Sequence, residues 1–275
     1  MTPAPDLYGV IGHPIAHSRS PWIHAQFARQ TGQNIRYAAL DIAPEELPTR
    51  LRRFFAEGGR GLNVTVPHKQ TVLPLLDELS EPARVAGAVN TIIAEPHSRL
   101  RGDNTDGSGF VRDLTHNLGL TITGARVLML GAGGAARGLM APLLALEPAR
   151  LVIANRSPER AIELARRFAA YGAVHGCGYG ELEAAPFDLI VNATAAGLEQ
   201  QLPPLPLAVL TTAAACYDLA YAGGETRFVR WAREHGVARC ADGTGMLIEQ
   251  AADSFLLWRG VRPDTAAVRA AFPQS

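Results

Sequence analysis

The chain has 275 residues, of which 47% are apolar and 19% are charged, and this length is sufficient for two domains. Its 26 basic and 26 acidic residues cancel to a net charge of zero, which argues against a protein that binds nucleic acid or an anionic membrane. The first residues carry no basic region with an apolar run behind it, and no stretch is long enough to span a bilayer, so we expect a cytoplasmic protein. The cysteines Cys177, Cys216 and Cys240 lack zinc spacing and are interpreted as reduced packing residues.

Lysine is almost absent from this composition. Lys69 is the only lysine among the 26 basic residues, and all the others are arginines. Because arginine cannot usefully release a proton whereas a suitably placed lysine can, Lys69 is the candidate for proton transfer. The alternative is sequence drift, in which one position keeps the last lysine by chance. The residues around Lys69 distinguish these two interpretations.

The first part of the chain predicts alternating strands and helices. An apolar run at 7–12 predicts a first strand, and Ser20 is expected to cap a helix whose first residue is Pro21. Further strands are predicted at 36–41 and 61–66, with a helix between them. This β-α-β-α-β order favours a mainly parallel sheet.

Polar residues follow the first and third strands, at the edge where a parallel sheet binds ligands. Ser18 and Ser20 come after the first strand, although each could serve only a turn or a helix cap. Asn63 and Thr65 are two positions apart and are expected to share one face of the third strand, with Lys69 in the turn behind it. A strand with one solvent-exposed face would explain Asn63 and Thr65, but it would not explain the lysine that follows shortly after them.

The next segment adds an amide and a carboxylate. A strand is predicted over 87–93 with Asn90 as its polar member, and 100–103 predicts a hairpin return. Asp106 then lies near the start of a helix, where it could be a cap, a partner of the helix dipole or a catalytic carboxylate that faces Lys69. Sequence spacing leaves these choices open.

A glycine-rich turn organises the second half. Strand-like residues 126–130 run into Gly131, Gly133 and Ala136, and apolar residues then recur at helical spacing. This order fits the dinucleotide-binding fingerprint, in which the first glycine allows a tight turn and the second lets the backbone approach a pyrophosphate. The N-terminus of the helix would hold the phosphates through its free N–H groups. A plain structural turn is the alternative interpretation.

The residues after the next strand, at 151–154, indicate which dinucleotide binds. An NAD site usually has an acidic residue about 20 positions after the glycines, whereas this chain has Asn155, Arg156 and Arg160. Two guanidiniums suit a 2′-phosphate, and cations at the start of a helix are otherwise slightly unfavourable. We therefore predict NADP, although both arginines could be solvated residues, with Glu159 paired to either.

The remaining strands complete a six-stranded doubly wound domain, with predictions at 187–194, 214–219 and 237–243 and a weaker strand near Val174. Residues 246–258 are predicted to form an amphipathic helix that returns to the first domain. The fold class is therefore α/β with two domains, the second of Rossmann type. The predicted boundaries are 1–106 for a substrate-binding and catalytic domain, 107–238 for an NADP-binding domain and 239–275 for a helical segment that packs on the first domain.

Eight short motifs occur in one order along nearly the whole chain: Gly12-x-Pro14-Ile15-x-His17-Ser18-x-Ser20-Pro21, Asn63-Val64-Thr65-Val66-Pro67-x-Lys69, Gly87-Ala88-Val89-Asn90-Thr91, Gly102-Asp103-Asn104-Thr105-Asp106-Gly107, Gly131-Ala132-Gly133-Gly134-Ala135, Asn155-Arg156-Ser157, Asn192-Ala193-Thr194 and Gly245-Met246-Leu247. Together these motifs resemble the shikimate dehydrogenase family. The resemblance implies NADP-dependent interconversion of 3-dehydroshikimate and shikimate in aromatic amino acid biosynthesis. It implies a small-molecule substrate and leaves a homodimer as a candidate assembly.

The resemblance also assigns roles to residues of this chain. The catalytic pair would be Lys69 and Asp106, and we hypothesise that Lys69 is the one that takes the proton. The substrate hydroxyls and carboxylate would be held by Ser18, Ser20, Asn63, Thr65, Asn90, Asp106, Tyr221 and Gln250. The NADP site would be lined by Gly131, Ala132, Gly133, Gly134, Ala135, Asn155, Arg156, Ser157, Arg160, Leu219 and Gly243. No metal site is expected.

Two segments depart from the family pattern. Residues 218–227 lack the Asn-Pro after the tyrosine and the proline after the threonine that many members carry, and Thr244 stands where leucine is usual. These departures bear on the choice of substrate rather than on the class of reaction. One alternative is therefore a related enzyme acting on quinate or an amino analogue, and another is a catalytically silent NADP-binding regulatory module.

Overall fold

The computed structural model describes residues 3–194, 202, 204–211, 214–221 and 224–273. The chain forms two compact units. The first consists of Met1–Gly109 and Leu247–Phe272, and the second of Phe110–Met246 and Pro273–Ser275.

The first unit holds a six-stranded sheet. Its strands are β1 Asp6–Gly12, β2 Ile35–Asp41, β3 Gly59–Val64, β4 Glu78–Leu79, β5 Thr91–Ala94 and β6 Leu100–Asp103. They lie in the order β2-β1-β3-β5-β6-β4. Strand β5 is antiparallel to both of its neighbours, and the other pairings of this sheet are parallel. The prediction of a mainly parallel sheet is confirmed.

The second unit holds another six-stranded sheet, and all of its pairings are parallel. Its strands are β7 Arg126–Leu130, β8 Arg150–Asn155, β9 Val174–Gly178, β10 Leu189–Asn192, β11 Ala215–Asp218 and β12 Arg239–Ala241. They lie in the order β12-β11-β10-β7-β8-β9, which is the doubly wound arrangement. Because β12 pairs with β11, the second unit extends past residue 238, where the sequence had placed its end.

Helices connect these strands. They are α1 Ser20–Thr31, α2 Leu47–Ala56, α3 His68–Thr71, α4 Glu81–Ala86, α5 Asp106–Arg112, α6 Gly134–Leu144, α7 Pro158–Phe168, α8 Arg227–Glu234, α9 Thr244–Arg259 and α10 Thr265–Ala270. A π-helical segment, Asp113–Asn117, continues α5. Among the described residues, no helix is both long enough and apolar enough to cross a membrane.

Buried apolar side chains form the core of each unit, and in the first unit they make two separate clusters. In the first unit, Ile23 and Phe27 of α1 pack with Ile248 and Phe255 of α9, which confirms that the last long helix returns to the first domain. In the second unit, the central strand β7 is buried from Val127 to Leu130 because helices cover both faces of a parallel sheet.

Four local predictions of the first unit are wrong. The strand predicted over 87–93 begins only at Thr91, because α4 ends at Ala86 with Gly87 as its C-cap, so Asn90 lies just before β5 rather than within it. Ser20 is the first residue of α1 rather than its cap, because Arg19 takes the N-cap position and Ser18 Oγ accepts from the Ser20 N–H at 3.3 Å. The strand predicted over 61–66 ends at Val64, because Pro67 has no N–H for a ladder and Val66 is 70% exposed. Lys69 consequently lies in the short helix α3 rather than in a turn.

Candidate active site

Lys69 and Asp106 form an ion pair inside the first unit. Lys69 Nζ donates to Asp106 Oδ2 at 2.5 Å, and the two side chains are 30% and 13% exposed. Lys69 lies in the short helix α3, which follows β3. The Val89 N–H donates to the Lys69 carbonyl at 2.8 Å and fixes its backbone. Asp106 begins α5, where its N–H donates to Asn104 Oδ1 at 3.1 Å. The structure thus places the catalytic candidate Asp106 against the only lysine of the chain, a choice that sequence spacing had left open.

Asn90 binds the same carboxylate from its other oxygen. Asn90 Nδ2 donates to Asp106 Oδ1 at 2.9 Å and to Gln250 Oε1 at 3.1 Å. The Thr105 N–H donates to Asn90 Oδ1 at 2.8 Å, which fixes the orientation of the amide. Lys69 makes no further hydrogen bond within the described part of the chain, so two of its three N–H groups are available to a ligand.

Asn63 lies deeper in the same network. Its Nδ2 donates to the Asn90 carbonyl at 3.1 Å and to Ser254 Oγ at 3.0 Å. Its Oδ1 accepts from the Tyr37 hydroxyl at 2.8 Å. The network therefore joins β3, the start of β5 and α9 into one polar cluster within the first unit.

Ser18, Ser20 and Thr65 lie where β1 and β3 end. Ser20 is buried at the start of α1, while Ser18 and Thr65 are half-buried. The Thr65 N–H donates to the Ile11 carbonyl at 2.9 Å, which keeps this segment alongside β1 beyond the end of the strand. Tyr221 belongs to the second unit, follows β11 and is 40% exposed.

The glycine-rich turn of the second unit has the geometry that the fingerprint requires. Gly131 has φ +99°, a conformation that favours glycine, and its N–H donates to the Ala154 carbonyl at 2.8 Å. Ala136 is fully buried, as close packing of helix and strand demands. Gly133 is the N-cap of α6 without a side-chain cap, and a Cβ at this position would meet nothing within 4 Å. The first amides of α6 therefore face open space that fits a pyrophosphate.

The residues expected to choose the dinucleotide lie after β8. Asn155 Nδ2 donates to the Ser157 carbonyl at 2.9 Å, which shapes the turn before α7. Arg156 and Arg160 are exposed, and within the described part of the chain neither guanidinium nor Glu159 forms an ion pair. Both guanidiniums are therefore solvated and without the pairing to Glu159, and they remain available to a 2′-phosphate.

Leu219 and Gly243 meet at the ends of β11 and β12. The Gly243 N–H donates to the Ala220 carbonyl at 3.0 Å, and a Cβ at Gly243 would lie 2.3 Å from the Leu219 carbonyl oxygen. Asp218 holds this segment, because its Oδ1 accepts from Asn192 Nδ2 at 3.0 Å and from the Ala220 N–H at 3.1 Å. Burial raises the pKa of Asp218, and these two hydrogen bonds act in the opposite direction.

Thr105 and Ser254 also belong to the first-unit cluster, although the sequence patterns did not indicate either residue. Thr105 Oγ1 donates to the Gln250 carbonyl at 3.0 Å, and Ser254 Oγ lies 2.7 Å from Thr91 Oγ1. One signal could have found Ser254: it is four residues after Gln250 and therefore shares its face of α9.

The doubly wound sheet of the second unit, with its open glycine-rich turn, and the lysine–aspartate pair of the first unit define a dinucleotide-dependent oxidoreductase. Three family models match the chain: the substrate-binding domain of shikimate dehydrogenase over residues 10–92, shikimate/quinate 5-dehydrogenase over 113–199, and the C-terminal domain of shikimate 5′-dehydrogenase over 243–271. The NADP(+)-dependent shikimate dehydrogenase of Methylococcus capsulatus is 54% identical over 264 residues, which cover 96% of this chain and 95% of that protein. The chain belongs to the shikimate dehydrogenase family.

Two solved structures are similar to this chain over nearly its whole length. An Ael1 enzyme from Pseudomonas putida superposes with a TM-score of 0.92 at 45% identity, and the match covers 98% of each chain. The shikimate 5-dehydrogenase of Thermus thermophilus, solved with NADP(H) and shikimate, has a TM-score of 0.85 at 36% identity, covering 97% of this chain and 98% of that one.

Proposed function

We propose that this protein interconverts 3-dehydroshikimate and shikimate with NADP as cofactor, a step of aromatic amino acid biosynthesis. The observation that carries the proposal is the contact between Lys69 Nζ and Asp106 Oδ2 at 2.5 Å, with Asn90 bound to the other carboxylate oxygen. The relative from Methylococcus capsulatus is named for this activity, and the Thermus thermophilus structure holds both ligands.

In this proposal the first unit binds the substrate. Shikimate offers one carboxylate and three hydroxyls, so its site needs several donors and acceptors. Ser18 and Ser20, near the N-terminus of α1, are suited to the carboxylate because hydroxyl donors and the positive end of the helix both favour an anion. The ring hydroxyls are assigned to Asn63, Thr65, Asn90, Asp106 and Gln250, and Tyr221 of the second unit is assigned to the substrate as well.

We assign the transfer of the proton to Lys69. When bound, NADP accepts or supplies the hydride, so the protein has to orient the reactants and move one proton. During oxidation, Lys69 Nζ first releases a proton to solvent, and the neutral amine then takes the proton of the hydroxyl whose carbon becomes the ketone. During reduction, the ammonium donates a proton to the carbonyl oxygen that becomes the hydroxyl. Asp106 Oδ2 holds Nζ in place, and Asn90 holds Asp106. A positioned acid–base group of this kind typically contributes about 10²–10⁴-fold.

The second unit is assigned to NADP. The open N-terminus of α6, from Gly131 to Ala135, would bind the pyrophosphate, and Asn155, Arg156, Ser157 and Arg160 would bind the adenosine side with its 2′-phosphate. Leu219 and Gly243 would line the nicotinamide side. We further propose a cytoplasmic location and a homodimer, and light scattering of the purified protein would measure the mass of the assembly.

The first experiment is absorbance at 340 nm with shikimate and NADP⁺, with quinate and NAD⁺ in parallel wells. An increase that depends on both shikimate and NADP⁺ is the expected result. A signal with quinate but not with shikimate would indicate a related enzyme that acts on quinate. NADPH binding without turnover of either substrate would instead indicate a regulatory module and would remove the support for Lys69 as a catalytic residue.

A further inference from the structure

Tyr37 of β2 reaches the polar cluster of the first unit, although no motif pointed to it. Its hydroxyl donates to Asn63 Oδ1 at 2.8 Å, and the Ser20 side chain interacts with the same hydroxyl. The ring stacks on the buried imidazole of His24, with centroids 4.2 Å apart and an interplanar angle of 8°. The phenol is therefore fixed between Ser20 and Asn63.

The orientation of the Asn63 amide shows which way this hydrogen bond runs. The Asn90 carbonyl can only accept, so the Asn63 group that lies 3.1 Å from it must be the Nδ2 donor. Asn63 Oδ1 then faces Tyr37 and needs a donor, which the phenol supplies. Burial raises the pKa of Tyr37, so the proton stays on the phenol at neutral pH.

We propose that Tyr37 is a positioning residue for substrate binding, because its hydroxyl holds the Asn63 amide in register with Ser20 on one side and Asn90 on the other. Asn90 in turn binds Asp106, so Tyr37 connects the expected carboxylate end of the pocket to the proton-transfer pair. This inference rests on the proposed function, since Ser20, Asn63 and Asn90 are substrate residues only if shikimate is the ligand.

The sheet provides a matched control. Tyr8 of β1 is the register partner of Tyr37, and both rings contact Trp258, with centroid distances of 4.9 Å for Tyr8 and 6.4 Å for Tyr37. The Tyr8 hydroxyl, however, accepts from Arg259 Nη1 at 3.3 Å, and none of the hydrogen bonds among the described residues joins it to Asn63. Tyr37→Phe and Tyr8→Phe therefore remove the same atom from adjacent places in one fold.

The kinetic test measures kcat and KM of both variants for shikimate and for NADP⁺. We expect Tyr37→Phe to lower kcat/KM for shikimate about tenfold or more, because a buried amide oxygen loses its donor. Its KM for NADP⁺ should stay within about twofold of wild type, and Tyr8→Phe should stay within about twofold for both substrates. Equal effects of the two variants on shikimate would overturn the inference.

A second measurement does not depend on turnover. Hydrogen exchange of the Asn63 side-chain amide, followed by NMR, should be faster in Tyr37→Phe than in wild type and unchanged in Tyr8→Phe. Unchanged exchange in Tyr37→Phe would contradict the positioning role even if the protein did not oxidise shikimate. A wild-type enzyme that turns over shikimate alongside a fully active Tyr37→Phe variant would contradict this inference alone and leave the proposed function standing.

Discussion

Lys69 Nζ lies 2.5 Å from Asp106 Oδ2, and the chain has no second lysine that could take its place. The two residues are 37 positions apart and come together because β3 and β6 end near each other, with Asn90 between them. A charge pair that is partly shielded from water and leaves two N–H groups available is arranged to act on a third group as well as to stabilise the fold.

Replacing Lys69 tests its role directly. We expect Lys69→Ala to lower kcat for shikimate oxidation by about 10²–10⁴-fold, with little change in the KM for NADP⁺. Lys69→Arg keeps the positive charge beside Asp106 but cannot usefully release a proton, so it should be nearly as inactive. Arg53→Ala, which removes an exposed cation paired with Glu57, is the control and should be fully active. Near-normal turnover of Lys69→Ala would disprove the assignment.

Arg156 is the second residue with a distinct prediction. Because its exposed guanidinium lacks an ion-pair partner among the described residues, removing it should cost phosphate binding rather than stability. We expect Arg156→Ala to raise the KM for NADP⁺ about 10- to 100-fold, with the KM for NAD⁺ almost unchanged. Arg166→Ala, which removes an exposed arginine in the last turn of the following helix α7, is the matched control. A parallel rise for both cofactors would argue against a 2′-phosphate contact.

At the scale of elements, the β7–α6 turn separates two roles of glycine. Gly131 is needed for its backbone conformation, since φ is +99° and an added Cβ would lie 3.0 Å from the Ala193 carbonyl oxygen. Gly133 has φ −85° and ψ −171°, which any residue can adopt, and an added Cβ would enter open space. Gly131 is therefore required for the backbone conformation of the turn, whereas Gly133 keeps the space in front of α6 free of a side chain.

Alanine at each position should give opposite results. We expect Gly131→Ala to lower the stability by about 1 kcal/mol or more, because alanine is strained at that φ. Gly133→Ala should leave the thermal midpoint unchanged and raise the KM for NADP⁺ about tenfold, because the methyl group would enter the space proposed for the pyrophosphate. Thermal unfolding and cofactor kinetics of both variants decide this. An unaltered KM in Gly133→Ala would mean that phosphates bind elsewhere.

Helix α9 is the element that the polar cluster of the first unit depends on most. It contributes Gln250 and Ser254 to the contacts of Asn90 and Asn63. Its Glu249 is fully buried and accepts from Arg262 Nη2 at 2.6 Å and from Thr265 Oγ1 at 2.7 Å, which ties α9 to the start of α10. The polar cluster of the first unit is therefore complete only after the chain has passed through the second unit and returned to the first.

At the scale of the whole molecule, a buried histidine makes stability depend on pH. His24 is fully buried among Phe27, Tyr37 and Trp258, and neither ring nitrogen has a hydrogen-bond partner among the described residues. Burial lowers the pKa of His24 to about 3 from 6.5, and the nearby Asn63 side chain offsets only part of this effect. The folded protein thus keeps this imidazole neutral at a pH where the unfolded chain would protonate it.

The sign of the effect follows. Stability from neutral His24 is fully present above pH 6.5 and is lost as the pH falls toward 3, because only the unfolded state takes up the proton. At pH 5 the loss should be about 2 kcal/mol relative to neutral pH. Urea unfolding between pH 5 and 8, followed by tryptophan fluorescence, measures this. His24→Phe should show a smaller loss, whereas His175→Gln, which changes an exposed histidine, should match wild type.

Local patterns predicted much of the fold. The apolar runs that became β7 and β8, the glycine-rich turn between β7 and α6, and the arginines after β8 each lie within a few residues, so periodicity and turn chemistry reveal them. Element boundaries were harder to predict where a single residue decides them, as at the start of α1, where Arg19 takes the N-cap position that was predicted for Ser20.

By itself, the sequence determined the class of fold, the order of the motifs and the residue types of the site, because these depend on hydrophobic periodicity and short spacing. Only the tertiary structure decided which side chains touch. Asn90 and Gln250 are 160 positions apart, Asn63 and Ser254 are 191 apart, and Tyr37 meets Asn63 from a strand whose pattern carried no polar signal. The physical reason is that long-range hydrogen bonds and burial come from the packing of whole elements, and no local window of the chain contains them.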